Sequence, residues 1–161
     1  MDLFTLSDMW TFFLAFFLTL PIVTLVHEAG HVLAARMFGA KINFTIGAGK
    51  RLFKIGPLEV KRMYFMDGWC QYDKLKYDRK WVHILIYLSG SIANLIVILL
   101  VNYLIYQGTL PVHIFFYQFV YFSVYFIFFS LFPFKTGEGQ PSDGLAIYEV
   151  IKYGRKADPL D

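Results

Sequence analysis

Residues 81–134 read WVHILIYLSGSIANLIVILLVNYLIYQGTLPVHIFFYQFVYFSVYFIFFSLFPF and contain no Asp, Glu, Lys or Arg. A membrane-spanning helix needs about 20 apolar residues, so this stretch is long enough for two crossings. The segment Gln107-Gly108-Thr109-Leu110-Pro111 interrupts it with the Gly and Pro of a tight turn. We therefore predict two membrane-spanning helices, over 81–106 and 112–132.

A third apolar stretch lies near the amino end of the chain. Residues 9–26 carry no charge, and the apolar character continues to about residue 37. A span over 9–37 is longer than one simple crossing requires, so we expect it to continue past the bilayer core or to re-enter, with an irregularity in the form of a kink at Pro21. With 57% hydrophobic residues in 161, the chain is predicted to be a multi-spanning α-helical membrane protein with about three transmembrane helices.

The charged residues lie in blocks, and the largest block is basic. Residues 36–80 hold eleven Lys or Arg against four acidic residues, a local balance of +7. Basic loops of membrane proteins stay in the cytoplasm, which explains this block more simply than nucleic-acid binding does. The rule places 36–80 and the tail 135–161 inside, and the amino terminus and the uncharged turn at 107–111 outside, most simply in the cell membrane.

Within the basic block, polar and apolar residues alternate with a period of two. The alternation runs through 41–46, 51–55 and 58–66, punctuated by Gly47-Ala48-Gly49 and Gly56-Pro57. This pattern is typical of a β-hairpin, and we predict one over about 41–72 that leans on the helices or the bilayer surface. Cys70 is the single cysteine and reads as a small apolar side chain. We treat residues 1–161 as a single core.

The segment His27-Glu28-Ala29-Gly30-His31 lies at the inner end of the first span. Two histidines four residues apart share one face of a helix, so both imidazoles can reach one metal ion. The glutamate between them is close enough to activate a water and carry its proton. Titratable groups at the edge of an apolar span are costly, which favours a functional role. His27 and His31 are the predicted zinc ligands and Glu28 the predicted catalytic base.

A catalytic zinc site usually has three protein ligands, so a third must come from elsewhere in the chain. His113 would lie at the opposite membrane face, and His83 at a border where a histidine is unremarkable. Asp143 returns to the same face as the motif histidines, and it is the predicted third ligand. Glu138 and Glu149 are the alternatives.

Asp143 also has a purely structural interpretation. It begins a helix predicted near 145–151 after a Gly/Pro-rich loop, and either Ser142 or Asp143 could cap that helix. Ligation and capping therefore both remain open for Asp143 at the level of sequence.

Four segments together resemble the site-2 proteases, which are zinc-dependent intramembrane metalloproteases. The HExxH segment at 27–31 matches theirs, and 44–72 is similar to their membrane-associated β-hairpin. Residues 89–94 resemble their G-P-x-x-N helix, with Ser91 where Pro is usual. Residues 131–144 resemble their N-x-x-P-x-x-x-L-D-G element, with Ser130 where Asn is usual and a longer spacing from Pro133 to Asp143. We expect neither departure in this last element to touch a metal ligand.

The resemblance implies a fold, a cofactor and a substrate class. It implies a minimal core, without PDZ or nucleotide-sensing domains, that uses Zn²⁺ to cleave a membrane-anchored protein or peptide near the cytoplasmic face. It also implies that Asn94 orients the substrate or stabilises the oxyanion. From the residues alone, Asn94 is equally an amide that packs between helices. The expected partners are this substrate and the lipid bilayer, with no nucleic acid, and the sequence specifies no oligomeric state.

Two other functions fit the same spans. A catalytically silent membrane scaffold could keep the fold without turnover, although the intact His-Glu-His set argues against it. A metal transporter would need more polar residues along the second and third spans than this sequence contains. We therefore rank an intramembrane zinc endopeptidase first, the scaffold second and the transporter third.

Overall fold

A computed structural model describes residues 6–56, 58–73, 75–135 and 139–154. Helices form most of it, and one pair of strands separates the first long helix from the second. In chain order the elements are α1 (Leu6–Leu14), a π-helical turn (Ala15–Thr19), α2 (Leu20–Met37), β1 (Lys41–Ile55), β2 (Leu58–Asp73), α3 (Lys80–Tyr106), α4 (Ile114–Leu131) and α5 (Asp143–Tyr153).

Three helical segments are long and apolar enough to cross a membrane. They are Met9–Met37, Lys80–Tyr106 and Ile114–Leu131. The first has the predicted bounds, and the other two differ from the predicted spans by one or two residues at their ends. The predicted class, a multi-spanning α-helical membrane protein with a β-hairpin segment, is confirmed.

The first span is irregular just before Pro21. The π-helical turn Ala15–Thr19 separates α1 from α2, and Pro21 is the second residue of α2. Proline has no N–H, so it cannot donate the usual helical hydrogen bond to the carbonyl of Phe17. A wider π-turn accommodates such a missing bond. The predicted irregularity therefore takes the form of a π-turn on the amino-terminal side of the proline.

The two strands form the predicted hairpin. Lys41 pairs with Asp73 at its base and Ile55 with Leu58 near its turn, and the strands run antiparallel. Gly47 and Gly49 have φ of 86° and 85°, and the register shifts around them. The Gly-Ala-Gly segment is thus an irregular bend within one long strand rather than a break between two strands.

The hairpin leans on the carboxyl end of α2 and the amino end of α3. Ala35 of α2, Ile42 of β1, and Val82 and Ile86 of α3 form a buried apolar cluster. This cluster places the base of the hairpin next to the cytoplasm-facing ends predicted for α2 and α3. An isolated hairpin is marginally stable in water because it buries little apolar surface. Packing against the helices adds buried apolar surface and so stabilises the two strands.

Helices α2 and α3 approach each other closely at Gly30. A Cβ atom at this position would overlap the carbonyl oxygen of Ser89 and lie 2.8 Å from the Cβ of Ala93. Small residues permit such close contact between membrane helices. Gly30, the fourth residue of the HExxH segment, therefore brings α3 against the face of α2 that carries the histidines.

Candidate metal centre

The two motif histidines share one buried face of α2. His27 is 2% exposed and His31 is 6% exposed, and their ring centroids lie 4.7 Å apart. One helical turn separates them, as the i, i+4 spacing requires. Phe126 of α4 packs edge-on against the ring of His27, with centroids 4.9 Å apart. The imidazoles therefore lie between helices rather than facing lipid.

The carboxylate of Asp143 reaches both imidazoles. Its Oδ2 lies 3.0 Å from Nε2 of His27 and 3.3 Å from Nε2 of His31. One ligand atom from each of the three residues falls within 4.8 Å of the others, close enough to share a metal ion. The structure thus brings together the three residues that the sequence predicted as zinc ligands.

The position of Asp143 depends on its two neighbours in the chain. Ser142 is the N-cap of α5, because its hydroxyl accepts a hydrogen bond from the Leu145 N–H at 3.2 Å. At Gly144, a Cβ atom would overlap the carbonyl of Leu131 at the end of α4. The cap is therefore Ser142 and not Asp143, and the bare backbone of Gly144 lets α5 begin directly beneath α4.

The longer spacing between Pro133 and Asp143 does not separate Asp143 from the histidines. The Ser142 N–H donates to the carbonyl of Phe134 at 2.9 Å, and the Phe134 N–H donates back to the Ser142 hydroxyl at 3.2 Å. Lys135 and Pro141 pair next to them. These contacts bring the two ends of the extra length together, so Asp143 starts its helix close to the end of α4.

Hydrogen bonds with neighbouring residues orient two of the three candidate ligands, His31 and Asp143. His31 Nδ1 donates to the backbone carbonyl of Ile86 at 2.7 Å, which leaves Nε2 directed toward Asp143. Ser130 Oγ donates to Asp143 Oδ2 at 2.6 Å, and Ser91 Oγ lies 3.4 Å from Ser130 Oγ. The expectation that the serine at position 130 would not touch a metal ligand is wrong. The hydroxyl is short, yet the close start of α5 brings Asp143 within its reach.

The surroundings of the Asp143 carboxyl favour its ionised form. Burial of the carboxyl opposes ionisation, but attraction to His31 and hydrogen bonds with both histidines outweigh burial. Together they hold the pKa of Asp143 well below its usual range. Asp143 therefore offers an anionic oxygen, which is the form that a metal ion binds.

The other candidates for the third ligand lie elsewhere or outside the described residues. His113 is exposed and caps α4 by accepting from the Phe115 N–H at 3.2 Å. His83 binds the Asp78 carboxylate at 2.6 Å. Glu149 is described but is not part of the metal-binding group, and Glu138 lies outside the described residues.

The two remaining predicted site residues are both buried. Glu28 lies on α2 between the histidines and is 4% exposed. Asn94 of α3 is fully buried, and its Nδ2 lies 3.4 Å from Nδ1 of His27. Asn94 thus contacts a candidate ligand directly, on the side of the imidazole that faces away from Asp143.

The donor set fits a zinc ion. Two imidazoles and a carboxylate are a known catalytic zinc set, and ligand atoms about 2.0–2.2 Å from a tetrahedral ion lie roughly 3.3–3.5 Å apart. The distances from Asp143 to the two histidines are close to that spacing. Gly90 of α3 leaves room for an ion, because a Cβ there would lie 2.7 Å from His27 Nε2 and closer still to His31 Nε2.

Sequence analysis did not give a role to three residues that shape this centre. Gly90, which faces the histidine nitrogens, and Gly144, which lets Asp143 approach, were not singled out, and Ser130, which binds the aspartate, was expected to make no such contact. Each lies within or beside a segment that the resemblance quoted. The sequence feature that could have indicated them is the small size of all three residues. Its meaning is clear only once the residues that pack against them are known.

Two buried histidines and a partly buried aspartate, between helices of a chain with three candidate spans, define a membrane protein with a candidate metallohydrolase centre. The model of a family described as peptidase family M50 matches residues 15–155. The chain is also 44% identical over 154 residues to the uncharacterized membrane protein YwmF of Bacillus subtilis strain 168. That alignment covers 96% of this chain and 97% of YwmF. The chain belongs to peptidase family M50, the site-2 protease family, and is an integral membrane protein.

Proposed function

We propose that this protein is a zinc-dependent endopeptidase that cleaves a membrane-anchored protein or peptide near the cytoplasmic face. The observation that carries the proposal is the approach of Asp143 to both His27 and His31 at the inner end of the first span. Membership of a peptidase family supports the same chemistry. The three side chains are placed to hold one ion. Glu28 lies in the helical turn between His27 and His31, where it can accept a proton from a water at that ion.

His27, His31 and Asp143 would hold the zinc ion, which when bound supplies a Lewis acid that polarises the scissile carbonyl. Glu28 acts as the general base and takes a proton from the attacking water. It then donates that proton to the nitrogen of the leaving amine. Burial of Glu28 among the helices keeps bulk water away from this transfer.

The substrate must present an extended backbone to this centre. In a membrane helix the carbonyls are hydrogen-bonded within the segment, so the scissile region has to unwind first. The hairpin β1–β2 packs against the inner ends of α2 and α3, next to the helix that carries the histidines. We propose that a strand of this hairpin pairs with the unwound substrate by edge addition.

The test compares the wild-type chain with Glu28→Gln. Glutamine keeps the size of the side chain but cannot accept the proton, so the variant should retain zinc while turnover falls by about 10²–10⁴-fold. Asp78→Asn is the control, because it removes an exposed carboxylate outside the metal-binding group.

The variants are expressed in the native membrane, and single-span proteins that accumulate uncut with Glu28→Gln are identified by quantitative mass spectrometry. A protein found in this way is then reconstituted with purified enzyme and zinc. Equal cleavage by the wild type and Glu28→Gln would remove Glu28 as the base. Zinc bound by both, with cleavage by neither, would favour the silent scaffold.

The orientation in the membrane is part of the proposal. The +7 balance of residues 36–80 supports a cytoplasmic position for the hairpin, and the turn after α3 would lie outside. A reporter fused at Gly108, which is exposed in that turn, should score as external. A cytoplasmic score there, with an external score after α5, would reverse the proposed orientation and place the site at the outer face.

A further inference from the structure

The contact between Asn94 and His27 has a consequence for the protonation of the imidazole. A neutral imidazole carries one proton, on either of its two ring nitrogens. In the structure, Nε2 of His27 is the nitrogen that faces Asp143 and His31. If this nitrogen binds a metal ion, the ring proton must be on Nδ1, and Nδ1 becomes a hydrogen-bond donor.

Asn94 places its amide nitrogen against this same atom. Nδ2 lies 3.4 Å from Nδ1 of His27, and the amide nitrogen is also a donor. While Nε2 donates to Asp143, Nδ1 can accept from this amide, but once a metal ion occupies Nε2 two donors face each other here and cannot form a hydrogen bond. Meanwhile Oδ1 of Asn94 is buried and has no hydrogen-bond partner among the residues that the structure describes. A buried acceptor that makes no hydrogen bond destabilises the folded protein.

One rotation removes the clash between the two donors and gives the buried oxygen a partner. The oxygen and nitrogen of an amide have nearly the same shape, so the side chain can turn by 180° within the same space. The turn puts Oδ1 opposite Nδ1 of His27, where an acceptor meets the donor that metal binding creates.

We propose that Asn94 is a positioning residue for the metal centre, whose side-chain oxygen accepts a hydrogen bond from the Nδ1–H of His27. The bond keeps Nε2 of His27 unprotonated and directed at the ion. This inference rests on the proposed function, because it assumes that His27 ligates through Nε2. It differs from the oxyanion role implied by the resemblance, which would require the amide nitrogen to donate to the substrate.

The second histidine supports this assignment. His31 Nδ1 donates to the carbonyl of Ile86, a backbone acceptor on α3. Asn94 lies on the same helix two turns further along and meets the corresponding nitrogen of His27. Helix α3 would therefore supply an acceptor to each histidine, one from its backbone and one from a side chain. Outer partners of this kind fix the orientation of ligating histidines in metal sites.

The test measures zinc affinity and needs no substrate. The full chain in detergent is stripped of metal and titrated with Zn²⁺ against a competing chelator. Asn94→Leu keeps the approximate size but offers no acceptor, and its zinc affinity should fall by about 10–100-fold. Asn94→Asp restores acceptor oxygens and cannot donate as a carboxylate, so its affinity should equal or exceed that of the wild type.

Asn102→Leu is the matched control, because Asn102 is an asparagine on α3 whose amide binds only the Ile98 carbonyl among the described contacts. It should bind zinc as the wild type does, which would show that loss of an amide from α3 does not itself weaken the site. Absorption of the Co²⁺-loaded protein reports whether the coordination remains tetrahedral in each variant.

Two results would overturn the assignment of Asn94. One is an Asn94→Leu affinity within about threefold of the wild type, and the other is an Asn94→Asp affinity as weak as that of Asn94→Leu. His27→Ala separates this failure from failure of the metal site itself. If His27→Ala binds zinc as tightly as the wild type, His27 is not a ligand and the proposed function fails with it.

Discussion

The histidine side and the aspartate side of the metal centre are held in place over very different lengths of chain. His27 and His31 are one turn apart on α2, whereas Asp143 lies 116 residues beyond His27. The geometry of a single helix fixes the first pair. The aspartate depends on the end of α4, the cap at Ser142 and the contact at Gly144.

Both sides nevertheless rely on the absence of a side chain at one position. Gly90 leaves space in front of the histidine nitrogens, and Gly144 leaves space beneath the carbonyl of Leu131. Both glycines lie in helices, and in a helix interior such as that of α3 glycine costs roughly 1 kcal/mol relative to alanine, less in a first turn such as that of Gly144. The comparison therefore indicates that, on each side, close packing around the centre offsets the cost of placing a glycine in a helix.

The largest expected effect comes from filling the space on the histidine side. In Gly90→Ala, the added methyl group meets Nε2 of both His27 and His31, so zinc affinity should fall by more than the roughly 10–100-fold cost of losing an outer partner. Metal content of the purified protein measures the effect. Leu95→Ala, at an exposed position on α3, is the control. Stoichiometric zinc in Gly90→Ala would mean that the ion does not sit between these nitrogens.

The second prediction removes the charge on the aspartate side. Asp143→Asn keeps the size of the side chain but loses the anionic oxygen, so zinc affinity should fall strongly, by more than about 10-fold. Because Ser142 supplies the cap, α5 should remain intact, and the free energy of unfolding of the metal-free protein should change little. Circular dichroism and zinc titration test the two statements separately. Normal zinc binding would exclude Asp143 as a ligand and direct attention to Glu149.

The same contrast explains how much could be predicted from the sequence. The spans, the hairpin and the pairing of His27 with His31 follow from periodicity, apolar length and helical spacing, all of which are local. The choice of Asp143 required an argument about membrane faces. The contacts of Ser130 and Gly90 could not be predicted from the sequence. They depend on the distance between neighbouring helices, and one added or missing methyl group can change that distance.

The third prediction concerns the hydroxyl that binds the aspartate. Ser130→Ala removes the 2.6 Å hydrogen bond to Asp143 Oδ2 but leaves all three candidate ligands, so zinc affinity should fall by about 10-fold. Ser123→Ala is the matched control, because Ser123 is buried on the same helix and its hydroxyl has no hydrogen-bond partner in the described structure. A loss as large as that of Asp143→Asn would show that Ser130 does more than orient the carboxylate.

The smallest effect is expected at the cap that starts α5. Ser142→Ala removes the hydroxyl that accepts from the Leu145 N–H and donates to the Phe132 carbonyl, and loss of such a cap costs about 1 kcal/mol. Hydrogen exchange at the first turn of α5 should quicken while exchange in α2 stays unchanged. Ser142→Thr keeps a hydroxyl that can both accept from Leu145 and donate to Phe132, and it should restore slow exchange at Leu145. If Ser142→Ala instead accelerated exchange around His27 as well, the two sides of the centre would be coupled through α5. The histidine side would then depend on the same distant contacts as the aspartate.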